Sequence, residues 1–497
     1  MRHDAMKKFL RGLQVGDGLR HRLFRGGAWL AIGTVADQGL RFLRNIILAR
    51  LLAPEAFGLM AIVLSVCSLF QVLTGIGIKE SVVQNPRGAE RTFLNGAWWL
   101  SVARGLGLYL LAFVSAPWIA RFYEAPELER LLRVAFLSVL AQAALSAGAF
   151  VAVKQMRYSK WVLIQQGGGV IGVLTAITLG FYLRGVWALV LGFAVEGTAR
   201  CLISYLVCPF RPGLQFDPEN RRALLRFAGG MFGLPALMLV YTEGSTFALG
   251  KLGSKADLGI FAMALGLARM ASMFSNQMVD LLMSAFSEIQ KDPGRVNQGI
   301  LKVTTFLALA GVPASAFMAL FGSQVMEALY GPRYAAGGLA LALLFANEVL
   351  LVSSVPIATV YLAVGKPALL RRFSLLRAFL VVALLWPAIR FGGLTGAAST
   401  PVAAMLLAYG LQLAQLRTVT GLKIKTYLAL WLRGLLVAAP FVGLWLVMRF
   451  FFQGIRPLVE LVWLGVATGV VLGTFAFSAY RQPSVRRYLW RFAHPAN

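Results

Sequence analysis

The chain has 497 residues, 58% of them hydrophobic, and sets 48 lysines and arginines against 20 acids for a formal charge of +28. That leaves too little polar sequence to surface several soluble domains. The basic excess is also not a nucleic-acid footprint, because the cations sit in short gaps between long apolar runs. Cys67, Cys201 and Cys208 lie inside apolar runs and His3, His21 and His494 are confined to the termini, which excludes a disulfide framework and a histidine-based metal centre.

Residues 1–25 form a basic segment without the short apolar core and cleavage site of a signal peptide. A spanning helix needs about 20 apolar residues to cross roughly 30 Å of hydrocarbon, and about fourteen runs qualify. They are continuously apolar rather than alternating, which predicts helices and not barrel strands. Six lie near 26–49, 58–78, 93–117, 131–153, 161–183 and 185–208, with a tight turn required at Arg184 and Gly185 between the last two. A basic linker at 209–226 precedes six more, near 227–249, 258–283, 301–321, 337–361, 373–391 and 394–416. Two further runs near 428–449 and 458–480 lead to a basic tail at 481–497.

Lysine and arginine in short loops mark the cytoplasmic face. With the N-terminus inside, the inner loops and termini carry about 31 basic residues, including Arg87, Arg157, Arg222, Arg295, Arg371, Lys425 and Arg487, and the outer loops about 11. Both termini are therefore expected in the cytoplasm, with an even number of spans.

Residues Ala49 to Ala61 and Gly250 to Ala262 share a pattern: a basic residue, a short turn, then an aliphatic or aromatic residue beside a glycine that opens the next span. The offset is about 201 residues and six spans, so both copies lie on one side of the membrane. A parallel two-lobed carrier with its site between the lobes has this arrangement. The expected fold is thus an all-α polytopic membrane protein: an N-lobe over 26–208, a C-lobe over 227–416, and two appended C-terminal helices.

The segment Ile47-Leu48-Ala49-Arg50-Leu51-Leu52-Ala53-Pro54-Glu55-Ala56-Phe57-Gly58 resembles the signature after the first helix of polysaccharide flippases. These are the Wzx and TuaB-like branch of the multidrug/oligosaccharidyl-lipid/polysaccharide (MATE-like) exporter superfamily. Gly185-Val186-Trp187-Ala188-Leu189-Val190, Leu258-Gly259-Ile260-Phe261, Ala285-Phe286-Ser287-Glu288-Ile289-Gln290 and Gly331-Pro332-Arg333-Tyr334 agree with the same family. The resemblance implies a fold like that of the drug and lipid II exporters. It also implies a cargo, undecaprenyl-pyrophosphate-linked oligosaccharide turned from the inner to the outer leaflet for surface polysaccharide, with a polymerase and export machinery as partners.

Six basic residues fall outside both loop sets: Arg41, Arg44, Arg104, Arg200, Arg269 and Arg433. A charge at the bilayer centre costs roughly 2.5–3.5 kcal/mol, so it normally faces a cavity or a partner. Arg433 is near a span end and can snorkel. Arg41, Arg44, Arg104, Arg200 and Arg269 are the candidates for a cavity binding pyrophosphate, which guanidinium holds through geometrically fixed donors. Ion pairing is the competing account for two of them, since Asp37 and Arg41, and Glu196 and Arg200, are spaced i,i+4. The acids Glu348, Glu243, Asp37 and Glu196 are candidates for coupling transport to H+ or Na+. Pro235 is a candidate hinge in the seventh span.

No cofactor, metal or nucleic acid is expected, and no phosphate-loop motif occurs. A membrane glycosyltransferase or polymerase would be expected to show a nucleotide-sugar domain with paired acids or a large external loop, and this sequence has neither. A cation-coupled drug exporter of the same fold would favour an acidic, aromatic pocket, against the predominance of arginine here.

Overall fold

A computed structural model describes residues 19–73, 77–213, 234–273 and 275–451, with isolated positions between 457 and 465. Most of the basic N-terminal segment and of the 209–226 linker, nearly all of the 458–480 span, and the C-terminal tail lie outside the described residues. Among the described residues there is no strand.

The helices are α1 (Leu19–Leu51), α2 (Pro54–Leu73), α3 (Ile78–Gln84), α4 (Arg91–Phe122), α5 (Glu127–Ala143), α6 (Ala147–Lys154), α7 (Tyr158–Leu183) and α8 (Val186–Val207), followed by α9 (Leu234–Leu252), α10 (Lys255–Ala268), α11 (Ser275–Ile289), α12 (Pro293–Tyr330), α13 (Gly338–Ala363), α14 (Pro367–Thr420) and α15 (Ile424–Phe451). Local chemistry explains several boundaries. Pro54 opens α2, where its missing N–H costs nothing. The Ser254 hydroxyl accepts from the Asp257 N–H at 3.0 Å and caps α10. Asp292 caps α12 by accepting from the Arg295 N–H at 3.1 Å, with Pro293 next. The tight turn expected at Arg184 is present, with that residue left-handed at φ 46°.

Among the described residues seven helices are long and apolar enough to cross a membrane, and the bent pair α5–α6 adds an eighth. Several expected spans are bent or broken. The fourth span bends by 55° between α5 and α6. The eighth is interrupted by a 3-10 turn at Arg269–Ser272. The eleventh and twelfth run through one long helical stretch broken at Gly393 (φ 50°, ψ −125°).

Two packed groups result. In the first, α7 lies along α8, α8 along α5, α5 along α4 and α1 along α7; in the second, α9, α13 and α14 pack together and α12 carries α15. The outer faces present large exposed apolar side chains, including Leu110, Trp118, Tyr182, Leu206, Phe379 and Phe391. A soluble protein does not leave so much apolar surface bare. In a bilayer it is solvated by lipid.

The groups meet mainly through α2 against α9 and α10, with α1 touching α12. At the crossing of α2 and α10 the two glycines of the sequence repeat face one another. A methyl group at Gly58 would overlap the Lys255 carbonyl, and one at Gly259 would overlap the Pro54 carbonyl. Only glycine lets these backbones approach so closely. Around this crossing Lys251 pairs with Glu124 at 2.7 Å, Lys255 donates to the Tyr123 carbonyl at 2.7 Å, and Arg50 donates to the Ala328 carbonyl at 2.9 Å. Phe57 meets Tyr334 edge-on at 6.3 Å. All five contacts join one group to the other at a single end of the molecule.

Replacing Gly259 by alanine should force this end open. Overpacking costs about 1–3 kcal/mol, which moves a two-state balance roughly five- to 150-fold. Spin labels at Arg130 and Arg333 in a cysteine-free background should show a longer-distance population that the parent lacks; an unchanged distribution would contradict the contact.

The hydrogen bond from Lys251, together with its charge, holds the Glu124 carboxyl below the usual glutamate range. A group with a depressed pKa contributes above its free value and loses that contribution as pH falls through the depressed one. The same label pair should therefore report a fixed closed fraction at neutral pH and opening only under acid. Glu124→Gln should flatten that pH response.

Candidate functional site

Between the two groups lies a cavity of about 370 Å³ lined by Arg41, Arg44 and Asn45 of α1, Ser65 and Ser68 of α2, Glu243 of α9 and Arg269 at the end of α10. Arg41 and Arg44 reach it together because three residues on a helix bring side chains to one face. Arg269 reaches it because α10 ends there, giving way to the 3-10 turn.

The three guanidinium groups differ in what holds them. Arg41 lies between two acids, 2.9 Å from Asp37 and 2.5 Å from Glu196. Glu196 is itself buried and also accepts from Arg200 at 2.6 Å. Arg200 donates further to the Gln165 carbonyl at 3.3 Å and does not line the cavity. The i,i+4 pairs therefore form, Arg41 still faces the cavity, and Arg200 is not brought to it. Glycines make this cluster possible. A methyl at Gly168 would overlap the Arg200 side chain, and one at Gly172 would crowd the Glu196 Cβ. The Gly167-Gly168-Gly169 run with Gly172 was the signal in the sequence that two charged side chains of α8 are seated against α7.

Arg269 pairs with Glu243 at 3.3 Å, an acid 26 residues away. The same Glu243 carboxylate accepts from Ser65 of α2 at 2.6 Å. It thus links the two groups at the cavity wall. Arg44 has no carboxylate partner among the described residues; it donates to the Asn45 amide oxygen at 3.0 and 3.2 Å. Four guanidinium groups (Arg41, Arg44, Arg200, Arg269) thus face three carboxylates (Asp37, Glu196, Glu243), and the surplus cation is Arg44.

Behind Glu243 and Arg269 is a second cavity of about 410 Å³, lined also by Tyr241, Ser272, Asn347, Glu348 and Arg377. Glu348 is buried and accepts from the Ser272 hydroxyl. Arg377 is 7% exposed, stacks at 4.0 Å on the Tyr241 ring, and its Nε has no hydrogen-bond partner among the described residues. The sequence counts Arg377 with the loop cations Arg371 and Arg372. Its depth is the signal that separates it: ten residues beyond Pro367 at 1.5 Å each place it about 15 Å into α14.

Arg104 is not brought to the central cavity. It lines a separate pocket in the first group and donates to the Gln71 carbonyl at 2.8 Å. The reason is the course of α4, which packs on α5 away from the inter-group contact. Pro235 falls at the start of described α9, and its side chain lies outside the described residues.

Glu196→Ala should strand Arg200 and leave Arg41 to Asp37 alone, and removing one partner of a buried pair costs about 3–5 kcal/mol. Thermal unfolding in detergent should show a fall of several degrees. Arg44→Gln removes no ion pair and should leave the transition in place.

The family model described as "Polysaccharide biosynthesis protein" matches residues 47–336. The chain is 27% identical to the succinoglycan biosynthesis transport protein ExoT of Rhizobium meliloti, over 71% of this chain and 72% of that protein. It is 23% identical to the lipopolysaccharide biosynthesis protein WzxC of Escherichia coli, over 76% of each. The lipid II flippase MurJ in an inward closed conformation superposes with a TM-score of 0.73 at 12% identity, covering 91% of this chain and 99% of that one. Two lobes, spanning helices and a family match over more than half its length lead to one assignment: the chain is a membrane protein of the polysaccharide biosynthesis protein family with the MurJ-like exporter fold.

Proposed function

We propose that the protein is a flippase carrying undecaprenyl-pyrophosphate-linked oligosaccharide from the inner to the outer leaflet of the cytoplasmic membrane, for assembly of a surface polysaccharide. The observation that carries this is the surplus charge of Arg44 beside Arg41 and Arg269 in one cavity between the lobes. A pyrophosphate is the counter-charge such a site lacks, and arginine is the residue that grips it through several directed donors. The names of the relatives, one a succinoglycan transport protein and one a lipopolysaccharide biosynthesis protein, support a polysaccharide precursor as cargo.

The positive-inside rule sets both termini in the cytoplasm and puts the Gly58–Gly259 crossing at the outer face. The described form is then closed outside, and cargo enters from the cytoplasmic leaflet. The protein performs transport rather than chemistry, and handing its cargo to a polymerase and export machinery follows from that role. The C-lobe acids supply coupling. An anion that takes Arg269 from Glu243 frees a carboxylate that also holds Ser65 of the other lobe. The freed Glu243 takes up H+ or Na+, and Glu348 is the second acceptor.

Deleting the gene should leave undecaprenyl-linked oligosaccharide in the inner leaflet. Arg44→Ala and Arg269→Ala, at normal expression, should each reduce polymer export at least about tenfold, the cost of one lost charge-assisted contact. Unchanged lipid intermediates with altered drug tolerance would instead mark a drug exporter.

A further inference from the structure

The pocket that holds Arg104 has no use in the account above. It has a volume of about 340 Å³, within the range of ligand cavities, and shares no lining residue with the central cavity. Six helices of the N-lobe, α2 to α7, line it, and its polar wall comprises Gln71 from α2, Lys79 and Glu80 from α3, Arg104 from α4, Gln142 from α5 and Gln165 from α7. Gln165 is the residue whose carbonyl holds Arg200, so the pocket lies directly against the ion cluster of the N-lobe.

Its chemistry is specific. The Lys79 ammonium stands 4.9 Å above the Trp161 ring and pairs with no carboxylate among the described residues. Arg104 is tethered through the Gln71 carbonyl. Gln71 and Gln165 both line the pocket, and their side-chain amides hydrogen-bond to no described residue. A primary amide offers two donors and an acceptor, a pattern that matches neighbouring hydroxyls on a sugar ring. Two cations, Lys79 and Arg104, against the one carboxylate of Glu80 leave the pocket net positive, which beside such amides matches a sugar that also bears a negative charge.

We propose that this pocket is a subsite for an acidic sugar of the lipid-linked oligosaccharide, with a ring carboxylate directed to Arg104 and Lys79 and ring hydroxyls to Gln71 and Gln165. The proposal rests on the flippase reading for its cargo. It adds that the cargo is negatively charged in its sugar part as well as in its linkage. Specificity for one surface polymer over another then resides in the N-lobe, apart from the pyrophosphate cavity.

The test uses the full-length protein in lipid nanodiscs and saturation-transfer NMR with digalacturonate, with neutral cellobiose as control and inorganic pyrophosphate as competitor. Digalacturonate should bind and cellobiose should not. Arg104→Gln and Lys79→Gln should each weaken digalacturonate by about tenfold or more, while Arg44→Gln and Arg269→Gln leave it unchanged. Lys79→Gln breaks no ion pair, so it decides the matter if Arg104→Gln does not fold. Digalacturonate binding that survives both pocket substitutions, that is lost in Arg44→Gln, or that cellobiose matches would overturn the proposal. Pyrophosphate binding that depends on Arg44 reports separately on the central cavity, so failure of the subsite and failure of the flippase reading give different results.

Discussion

A guanidinium surrounded by hydrocarbon needs a counter-charge, a wet cavity or a path to the headgroups, because no solvent is present to stabilise it. The buried arginines of this protein are arranged by that requirement. Arg200 and Arg41 meet it through one shared carboxylate, Glu196, and Arg41 meets it a second time through Asp37. Arg269 meets it through Glu243. Arg377 meets it by lying on the face of Tyr241, with Glu348 lining the same cavity. Arg44 meets it only with a neutral amide and an open cavity. The pairing is therefore graded, and Arg44 is the least compensated of these arginines among the described residues.

The same requirement ties the cavity to the lobes. Glu243 is the point where the two meet, since it holds Arg269 of its own lobe and Ser65 of the other. A ligand anion competing for Arg269 disturbs a contact between lobes without touching it. The interlobe surface elsewhere combines the backbone approach at Gly58 and Gly259 with the side-chain contacts of Lys251, Lys255, Arg50 and Phe57 around it. Such an interface separates or closes as a unit, and that suits motion of one lobe against the other.

How much of this was legible in the sequence depends on whether a property is local. Spans, turns and caps are local, and the turn at Arg184 and the caps at Ser254 and Asp292 fall where their residue types require them. The repeat was visible too, and its two glycines prove to be the contact itself. The pairing of Arg41 with Asp37 and of Arg200 with Glu196 was written in i,i+4 spacing. Partners far apart in sequence were not legible: Glu243 for Arg269, Ser272 for Glu348, Gln71 for Arg104. Arg104 looked like Arg269 because both are lone cations in mid-span, and only packing sends them to different cavities. Arg377 was hidden for another reason, since it continues a run of loop cations into α14.

The crossing of α2 and α10 has a further consequence for the cell. A carrier for a bulky head group must open a wide passage while the membrane around it keeps its proton gradient. Side chains interlocked across a closed gate leave crevices through which a file of water can conduct protons. Two backbones pressed together at Gly58 and Gly259, with Phe57 and Tyr334 alongside, leave little room for such a file. The smallest residues in the chain thus let the closed gate meet backbone to backbone at this crossing.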